Sequence, residues 1–364
     1  MDPLNAGTDR QREVEALLLL GALPGVGPAT VRRMVFEVGS AAKVLASPRI
    51  LRGMAGDAAA QAARDPKLLD RVGRSLEAAG RMGMTLVLST DSGYPRRLHH
   101  LADPPPVLFL RGDASLLDRP GVAVVGARRA TARARTVAER MGAAVAAAGT
   151  PVVSGLALGV DAAAHRGALE VGGPTVAVLG RGADRAYPPG HRELFARIIR
   201  DGLVVSEFLP GTPPLPHNFP RRNRILAALA STLVVVEAGA RSGALITVEH
   251  ALDLGLDVWA VPGPIEEAAT AGTNGLLADG ARPLVSVDGF VRAVLGHDVA
   301  PTVVSGLSPD EKRVMACLVA GVCSADEVAR EAGLGVGPTL AILAGLELKG
   351  GVARLAGMRF RKAG

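Results

Sequence analysis

Aromatic side chains, cysteine and lysine are all scarce in this chain. Phe, Tyr and Trp make up 3% of its 364 residues, there are two cysteines, and only five of the 41 basic residues are lysine. Cys317 and Cys323 have no histidine pair nearby, so neither a disulfide framework nor a zinc site is expected, and they read as two buried thiols. Apolar runs such as Leu17–Leu20 and Leu233–Val236 fall far short of the roughly 20 residues a membrane-spanning helix needs. The N-terminus lacks the basic-then-apolar order of a secretory signal. The expected setting is therefore the cytoplasm, without a membrane partner. Biased genomic base composition explains the excess of arginine over lysine as well as phosphate recognition does, so that excess carries no functional weight.

What is present is bulk: 48% hydrophobic residues over this length is enough for two or three domains with cores of their own. A net charge of +6 and a pI near 9.9 suit a polyanionic partner, but only weakly, because the location of charge matters more than its sum.

Residues 1–84 read as all-helical, with apolar spacing at Val14, Leu17, Leu18 and again at Val31, Met34, Val35. Between these helices, Leu23-Pro24-Gly25-Val26-Gly27-Pro28 resembles the hairpin of a helix-hairpin-helix, or is simply a tight glycine turn. From Thr85 short β-branched runs alternate with helical stretches, which predicts an α/β domain over 85–296 built on a mostly parallel, Rossmann-like sheet. The clearest strands are Val122–Val125, Val152–Ser154, Thr175–Leu179, Leu203–Ser206, Leu233–Val236, Asp257–Val261 and Pro283–Ser286. Most are continuously apolar, as strands covered on both faces should be. A linker at 297–306 precedes a domain over 307–364. Capping-box pairs Ser308 with Glu311 and Ser324 with Glu327, a third helix near Pro338–Leu348, and the strands Val352–Leu355 and Met358–Arg361 describe a winged helix.

Ligands of open α/β sheets bind beyond the carboxyl ends of the strands. Four loops there stand out. The first, Gly126-Ala127-Arg128-Arg129-Ala130-Thr131, offers a turn glycine, two guanidinium groups and a threonine that can cap the next helix, an anion site without the three glycines of a dinucleotide motif. The second runs Ser154-Gly155-Leu156-Ala157-Leu158-Gly159-Val160-Asp161 with His165 one turn later. Asp161 and His165 fit a capping and hydrogen-bonding pair better than acid–base catalysis, since no nucleophile is held nearby. The third, His217-Asn218-Phe219-Pro220-Arg221-Arg222-Asn223-Arg224, reads as a loop with three phosphate-gripping forks and an aromatic face for an unpaired base. Alternatively, Phe219 plugs the core and Arg224 pairs with an internal carboxylate. The fourth, Glu237-Ala238-Gly239-Ala240-Arg241-Ser242-Gly243-Ala244-Leu245-Ile246-Thr247, runs into a helix N-terminus with Thr247 as helix support and is a second anion nest or a plain turn.

These residues resemble the DNA-processing protein A (DprA/Smf) family. The resemblance rests on Tyr94-Pro95, Asp103-Pro104-Pro105, Val125-Gly126-Ala127-Arg128, Ser154-Gly155-Leu156-Ala157 through Asp161 and Ala164-His165, Tyr187-Pro188, Ser206-Glu207, Phe219 through Arg224, Ser242-Gly243 with Thr247, Pro262-Gly263, Gly272-Thr273-Asn274 and Gly280-Ala281. It implies a dimeric, non-enzymatic protein that binds incoming single-stranded DNA during natural transformation, protects it and loads RecA, with a single-stranded-DNA-binding protein as a further partner and no cofactor or metal. It also implies a SAM-like or hairpin helical domain, an extended Rossmann domain and a winged-helix tail. The family's phosphate-gripping arginine falls on Arg128. Leu158 and Leu256 stand where many members carry a basic residue.

Two other classes remain open to comparison. A Rossmann nucleotide phosphoribohydrolase would use Gly239–Glu249, although its double-glycine turn is absent. A sequence-specific regulator would need Arg, Asn or Gln on the third helix of the winged domain, which has none. Asn274, Leu276 and Leu277, at a turn near the sheet end, are the expected apolar patch for a two-fold dimer.

Overall fold

A computed structural model of the chain describes residues 3–296, 307–318, 323–348, 351–355 and 358–362. The expected linker at 297–306 lies outside them. The chain divides into two compact units, Met1–Val287 and Asp288–Gly364.

The first unit opens with five helices, α1 (Pro3–Ala22), α2 (Pro28–Val38), α3 (Ala41–Ala46), α4 (Pro48–Ala62) and α5 (Pro66–Arg81). Local chemistry sets their starts. Proline stands in the first turn of α2, α4 and α5, where its missing N–H has no helical partner to lose, and Ser40, Ser47 and Asp65 cap α3, α4 and α5 with side-chain oxygens. The helices do not bury their apolar faces among themselves alone: Leu17, Leu20, Met34 and Val72 share one core with Phe109, Leu156 and Ile198 of the following α/β region. Arg10 adds a bidentate bond to Asp91 at 2.6 and 2.9 Å, and Ser75 Oγ donates to the Pro210 carbonyl at 3.0 Å.

The sheet contains β1 (Thr85–Leu88), β2 (Val107–Gly112), β3 (Gly121–Val125), β4 (Val152–Ser154), β5 (Thr175–Val178), β6 (Leu203–Ser206), β7 (Ala230–Val235), β8 (Asp257–Ala260) and β9 (Arg282–Pro283). Their order is β1-β2-β6-β5-β4-β3-β7-β8-β9. Pairing is parallel from β6 through β9 and antiparallel at β2–β6 and β1–β2. Six of the seven clearest apolar runs supply the parallel strands β3 to β8, and the seventh, Pro283–Ser286, meets the two-residue β9 only at Pro283. Helices α6 (Ala132–Ala147), α7 (Val160–Glu170), α8 (Arg192–Asp201), α9 (Asn218–Ala228), α10 (Ala244–Asp253) and α11 (Ala271–Ala278) connect them.

The second unit begins within α12 (Val287–Leu295) and continues through α13 (Pro309–Cys317), β10 (Cys323–Ser324), α14 (Ala325–Ala332), α15 (Val336–Leu348), β11 (Val352–Leu355) and β12 (Arg359–Lys362). Both capping boxes are formed, Val314, Val328, Leu343 and Phe360 fill its core, and β10-β12-β11 make the wing sheet. Cys317 is buried, whereas Cys323 is only half-buried.

Close backbone approach governs the α6–α7 crossing. A Cβ on Gly142 would lie 2.1 Å from the Ala164 carbonyl oxygen, and one on Gly167 would lie 1.9 Å from that of Glu139. Gly167→Ala should therefore force the helices apart and lower the unfolding free energy by about 2 kcal/mol in urea denaturation. Stability equal to the parent would show that this crossing has slack.

Candidate nucleic-acid interface

From β3 the chain winds through β4, β5 and β6 to one side of the sheet, and β7, β8 and β9 lie on the other. Connections therefore diverge at the carboxyl ends of β3 and β7, which leaves a crevice. A cleft of about 490 Å³ opens there. Gly126, Arg128 and Arg129 line it from the β3 loop, Ala157 and Asp161 from the β4 loop, Phe219, Arg222 and Asn223 from α9, and Ser242, Gly243 and Thr247 from the segment after β7. All four loops singled out in the sequence thus meet at one place, although several of their side chains, Ser154, Asp161, Arg222 and Arg224 among them, are committed to internal partners.

The glycines serve loop-on-loop packing. A Cβ on Gly126 would lie 2.7 Å from Val160 Cγ2 and 2.8 Å from the Glu237 carbonyl oxygen. Gly159, at φ +80°, passes so close that a Cβ would sit 2.2 Å from the Ala127 carbonyl oxygen. Loop packing by itself therefore requires a glycine at both positions.

The α6 N-terminus already holds an anion, supplied by Glu237, the first residue of the fourth loop, to which the sequence assigns no role. Its buried carboxylate accepts from the Thr131 N–H at 2.9 Å and from the Thr131 hydroxyl at 2.6 Å, while Thr131 Oγ1 caps Ala134 N at 3.1 Å. Thr131 caps the helix as expected, but both its donors are spent internally. The available signal was an acid directly after an apolar strand, where burial demands a partner.

The β4 loop is equally committed. Ser154 is fully buried and its hydroxyl donates to the Val124 carbonyl at 2.7 Å. Asp161 Oδ2 accepts from Gly155 N at 3.1 Å and Ala157 N at 3.4 Å, so this carboxylate ties down the loop before its own helix. Burial holds its pKa above the ordinary carboxylate range, against the pull of Arg222 and the two amides. His165 is not its partner. The imidazole is buried with Nδ1 2.7 Å from Thr175 Oγ1, whose own proton goes to the Val152 carbonyl, so Nδ1–H must be the donor. Burial, with Arg222 nearby, lowers the His165 pKa to about 3.

Residues 218–224 form the first turns of α9 rather than a loop, and a helix sends consecutive side chains in different directions. Arg222 is buried. Its Nη1 donates to the Gly155 carbonyl at 2.9 Å and to the Val178 carbonyl, and its Nε donates to Asn223 Oδ1 at 3.2 Å. Burial lowers its pKa to about 10, with Asp161 opposing. The guanidinium occupies the place a Gly155 side chain would take, 2.3 Å from the Cβ position. Arg224 forks onto Glu207 at 3.0 and 2.9 Å and reaches Asp103 at 2.8 Å, so it is an internal ion-pair residue. Arg221 faces outward but bonds Glu207 at 3.1 Å. Asn223 donates to the Gly243 carbonyl at 3.4 Å.

Phe219 is half-buried at the cleft, neither a core plug nor bare. Its ring packs 5.7 Å from that of Tyr187, and the Arg128 guanidinium lies 5.1 Å from its centroid. Arg128 and Arg129 are exposed and, among the described residues, neither is paired with a carboxylate. Thr247 lies one turn inside α10, buried, and the α10 cap position belongs to Gly243. Leu158 is 51% exposed beside cleft-lining Ala157.

The residues expected to form a dimer patch lie on a helix, α11, rather than at a turn. The Asn274 amide is spent on both the N–H and the carbonyl of Gly263 at 3.1 Å, and Leu276 and Leu277 are half-buried, with Leu276 against the core.

Comparison with known proteins places this arrangement. Residues 85–295 match the family model described as DNA recombination-mediator protein A, and residues 298–358 match the DprA winged helix domain. The chain belongs to the DNA recombination-mediator protein A family. One relative within it, named as a putative DNA processing protein DprA of Mycobacterium tuberculosis, is 38% identical over 328 residues, 84% of either chain. The crystal structure of DNA processing protein A from Streptococcus pneumoniae is similar with a TM-score of 0.64 at 32% identity, covering 78% of this chain and 97% of that one. A Helicobacter pylori DNA processing protein A, whose structure describes its single-stranded DNA binding mode, is similar with a TM-score of 0.54 at 28% identity, covering 59% and 98%.

Buried His165 gives this family member a testable acid response. Above pH 6.5 the imidazole is neutral whether folded or not. Below it the unfolded chain binds a proton that the folded protein refuses until about pH 3, so stability is lost as pH falls through that window. His165→Asn should flatten this loss when urea midpoints at about pH 7 and about pH 4.5 are compared. Parallel losses in parent and variant would assign the effect elsewhere.

Proposed function

We propose that this chain binds single-stranded DNA in the β3/β7 cleft as a flexible polyphosphate and performs no chemistry on it. The observation that carries this reading is the division of charge around the cleft. Glu237, Asp161, Arg222 and Arg224 are matched internally, whereas Arg128 and Arg129 stand at the rim without acids beside a half-exposed aromatic ring. Guanidinium groups suit phosphate oxygens, and an aromatic face suits an unpaired base of any identity. The DNA-binding mode described for the Helicobacter pylori relative supports the same reading.

Catalysis fits the cleft poorly. Asp161 and His165 serve separate structural partners, and Glu249, the residue a phosphoribohydrolase reading would need, is exposed on α10 away from the cleft lining. The family resemblance extends the proposal to delivery of the bound strand to RecA in natural transformation, alongside a single-stranded-DNA-binding protein and as a homodimer.

Arg128→Ala should weaken equilibrium binding of labelled oligothymidine by about tenfold, roughly 1.4 kcal/mol. It should also reduce the slope of log affinity against log salt by about 0.7, the share of one phosphate on a single strand. Undiminished affinity in the folded variant would overturn the assignment. Arg222→Ala is no substitute for this test, because it strips a buried aspartate of its cation and should cost about 3–5 kcal/mol of stability. Leu158→Lys should act in the opposite sense to Arg128→Ala, tightening binding and steepening the salt slope by about 0.7. A slope equal to the parent's would mean that the β4 loop does not face the strand.

A further inference from the structure

A larger cleft, about 730 Å³, lies between α1 and α5 on one side and the segment from Glu207 to Arg221 on the other. It adjoins the first. Leu215, His217 and Asn218 line the larger cleft, and Pro216 and Phe219, interleaved with them in sequence, line the smaller. It shares Ala22, Arg71 and Arg74 with a third pocket, about 370 Å³, which Lys67, Asp65 and Pro24 of the glycine hairpin also line.

The charges in this cleft are sorted by exposure. Its two carboxylates are shielded: the Glu207 side chain is 1% exposed and held by Arg221 and Arg224, and that of Asp184 is 6% exposed, between Arg181 and Arg185 with the Gly211 amide at 2.9 Å. The cations are open, at 80% for Arg185 and 67% for Arg74. Arg71 is exposed on α5 with no carboxylate partner among the described residues. The Arg74–Asp70 pair is solvent-exposed and worth at most about 1 kcal/mol, so a phosphate can displace it, and the open Arg185 guanidinium can turn to a phosphate while Asp184 keeps Arg181 and the Gly211 amide. Met82 and Leu215, each 39% exposed, supply apolar surface between the cations.

We propose that a bound single strand continues from the β3/β7 cleft past the 215–219 segment into this second cleft, where Arg71 and Arg185 hold its phosphates and the helical region becomes part of the DNA path. A flexible polyanion is the occupant that fits, because the exposed charge is of one sign and the two clefts share a wall. The proposal rests on the reading of the first cleft given above, so its test separates the two.

Full-length parent, Arg71→Ala/Arg185→Ala and Arg128→Ala proteins would be titrated with oligothymidines of about 5 and about 16 nucleotides at two salt concentrations. Both substituted positions of the double variant are on the surface, and matching thermal midpoints would verify its fold. The double variant should bind the short oligomer like the parent, bind the long one about tenfold more weakly, and show a salt slope on the long one shallower by about 1.4, the share of two phosphates. Parent-like affinity of the double variant for the long oligomer, with Arg128→Ala weakening both lengths, would overturn the extended path while leaving the first cleft intact. Equal loss on both lengths would also overturn it. Arg128→Ala weakening neither length would remove the first-cleft reading and this one together.

Discussion

A guanidinium sealed beneath the β4 loop is the interaction on which the rest of the cleft depends. Arg222 donates to the carbonyls that end β4 and β5, stands in the space Gly155 leaves free, and supplies the positive field that Asp161 needs in order to stay buried. Asp161 in turn holds the amides of Gly155 and Ala157. Leu156, between them, takes φ +55°, a left-handed conformation that is uncommon for a residue with a side chain and persists where surrounding bonds over-determine it. A buried charge unsupported on either side would be costly, so the arginine, the aspartate and the loop stand or fall as a set.

Glu237 does for the β3 and β7 loops what Asp161 does for the β4 loop. The carboxylate that closes the α6 N-terminus also keeps Thr131 in place, and the Glu237 carbonyl accepts from Ala127 at 2.7 Å. The outcome is a rigid shelf whose own polar groups are satisfied, with Arg128 and Arg129 projecting from it. Such a shelf presents charge to a ligand without first having to order itself, which reduces the entropy lost on binding.

The fold was largely legible from the chain because its strongest signals are physical ones. Continuously apolar strands are buried on both faces, Ser308 and Ser324 form reciprocal caps with Glu311 and Glu327, and the change of period at Thr85 marks the first sheet strand. The site was legible as a location but less so as chemistry. Loop glycines, serines and arginines gather at the cleft, yet spacing along the chain does not show whether an arginine finds its acid far away. Arg224 meets Asp103 and Glu207 across separations that only the folded sheet creates, and the helical start of α9 through Asn218-Phe219-Pro220 was hidden by residues that ordinarily mark turns. The role of Glu237 is illegible for the same reason: its partner Thr131 lies more than a hundred residues earlier.

The far rim of the sheet has a consequence of its own. β9 pairs over two residues, one of them Pro283, which has no amide hydrogen to offer a neighbour. A strand from another molecule approaching this border finds almost no ladder to extend, so the border resists templated edge-to-edge growth. Copies of the protein that meet along this flank would have to recognise one another by side-chain shape, leaving the hydrogen-bonded sheet of each closed and separate.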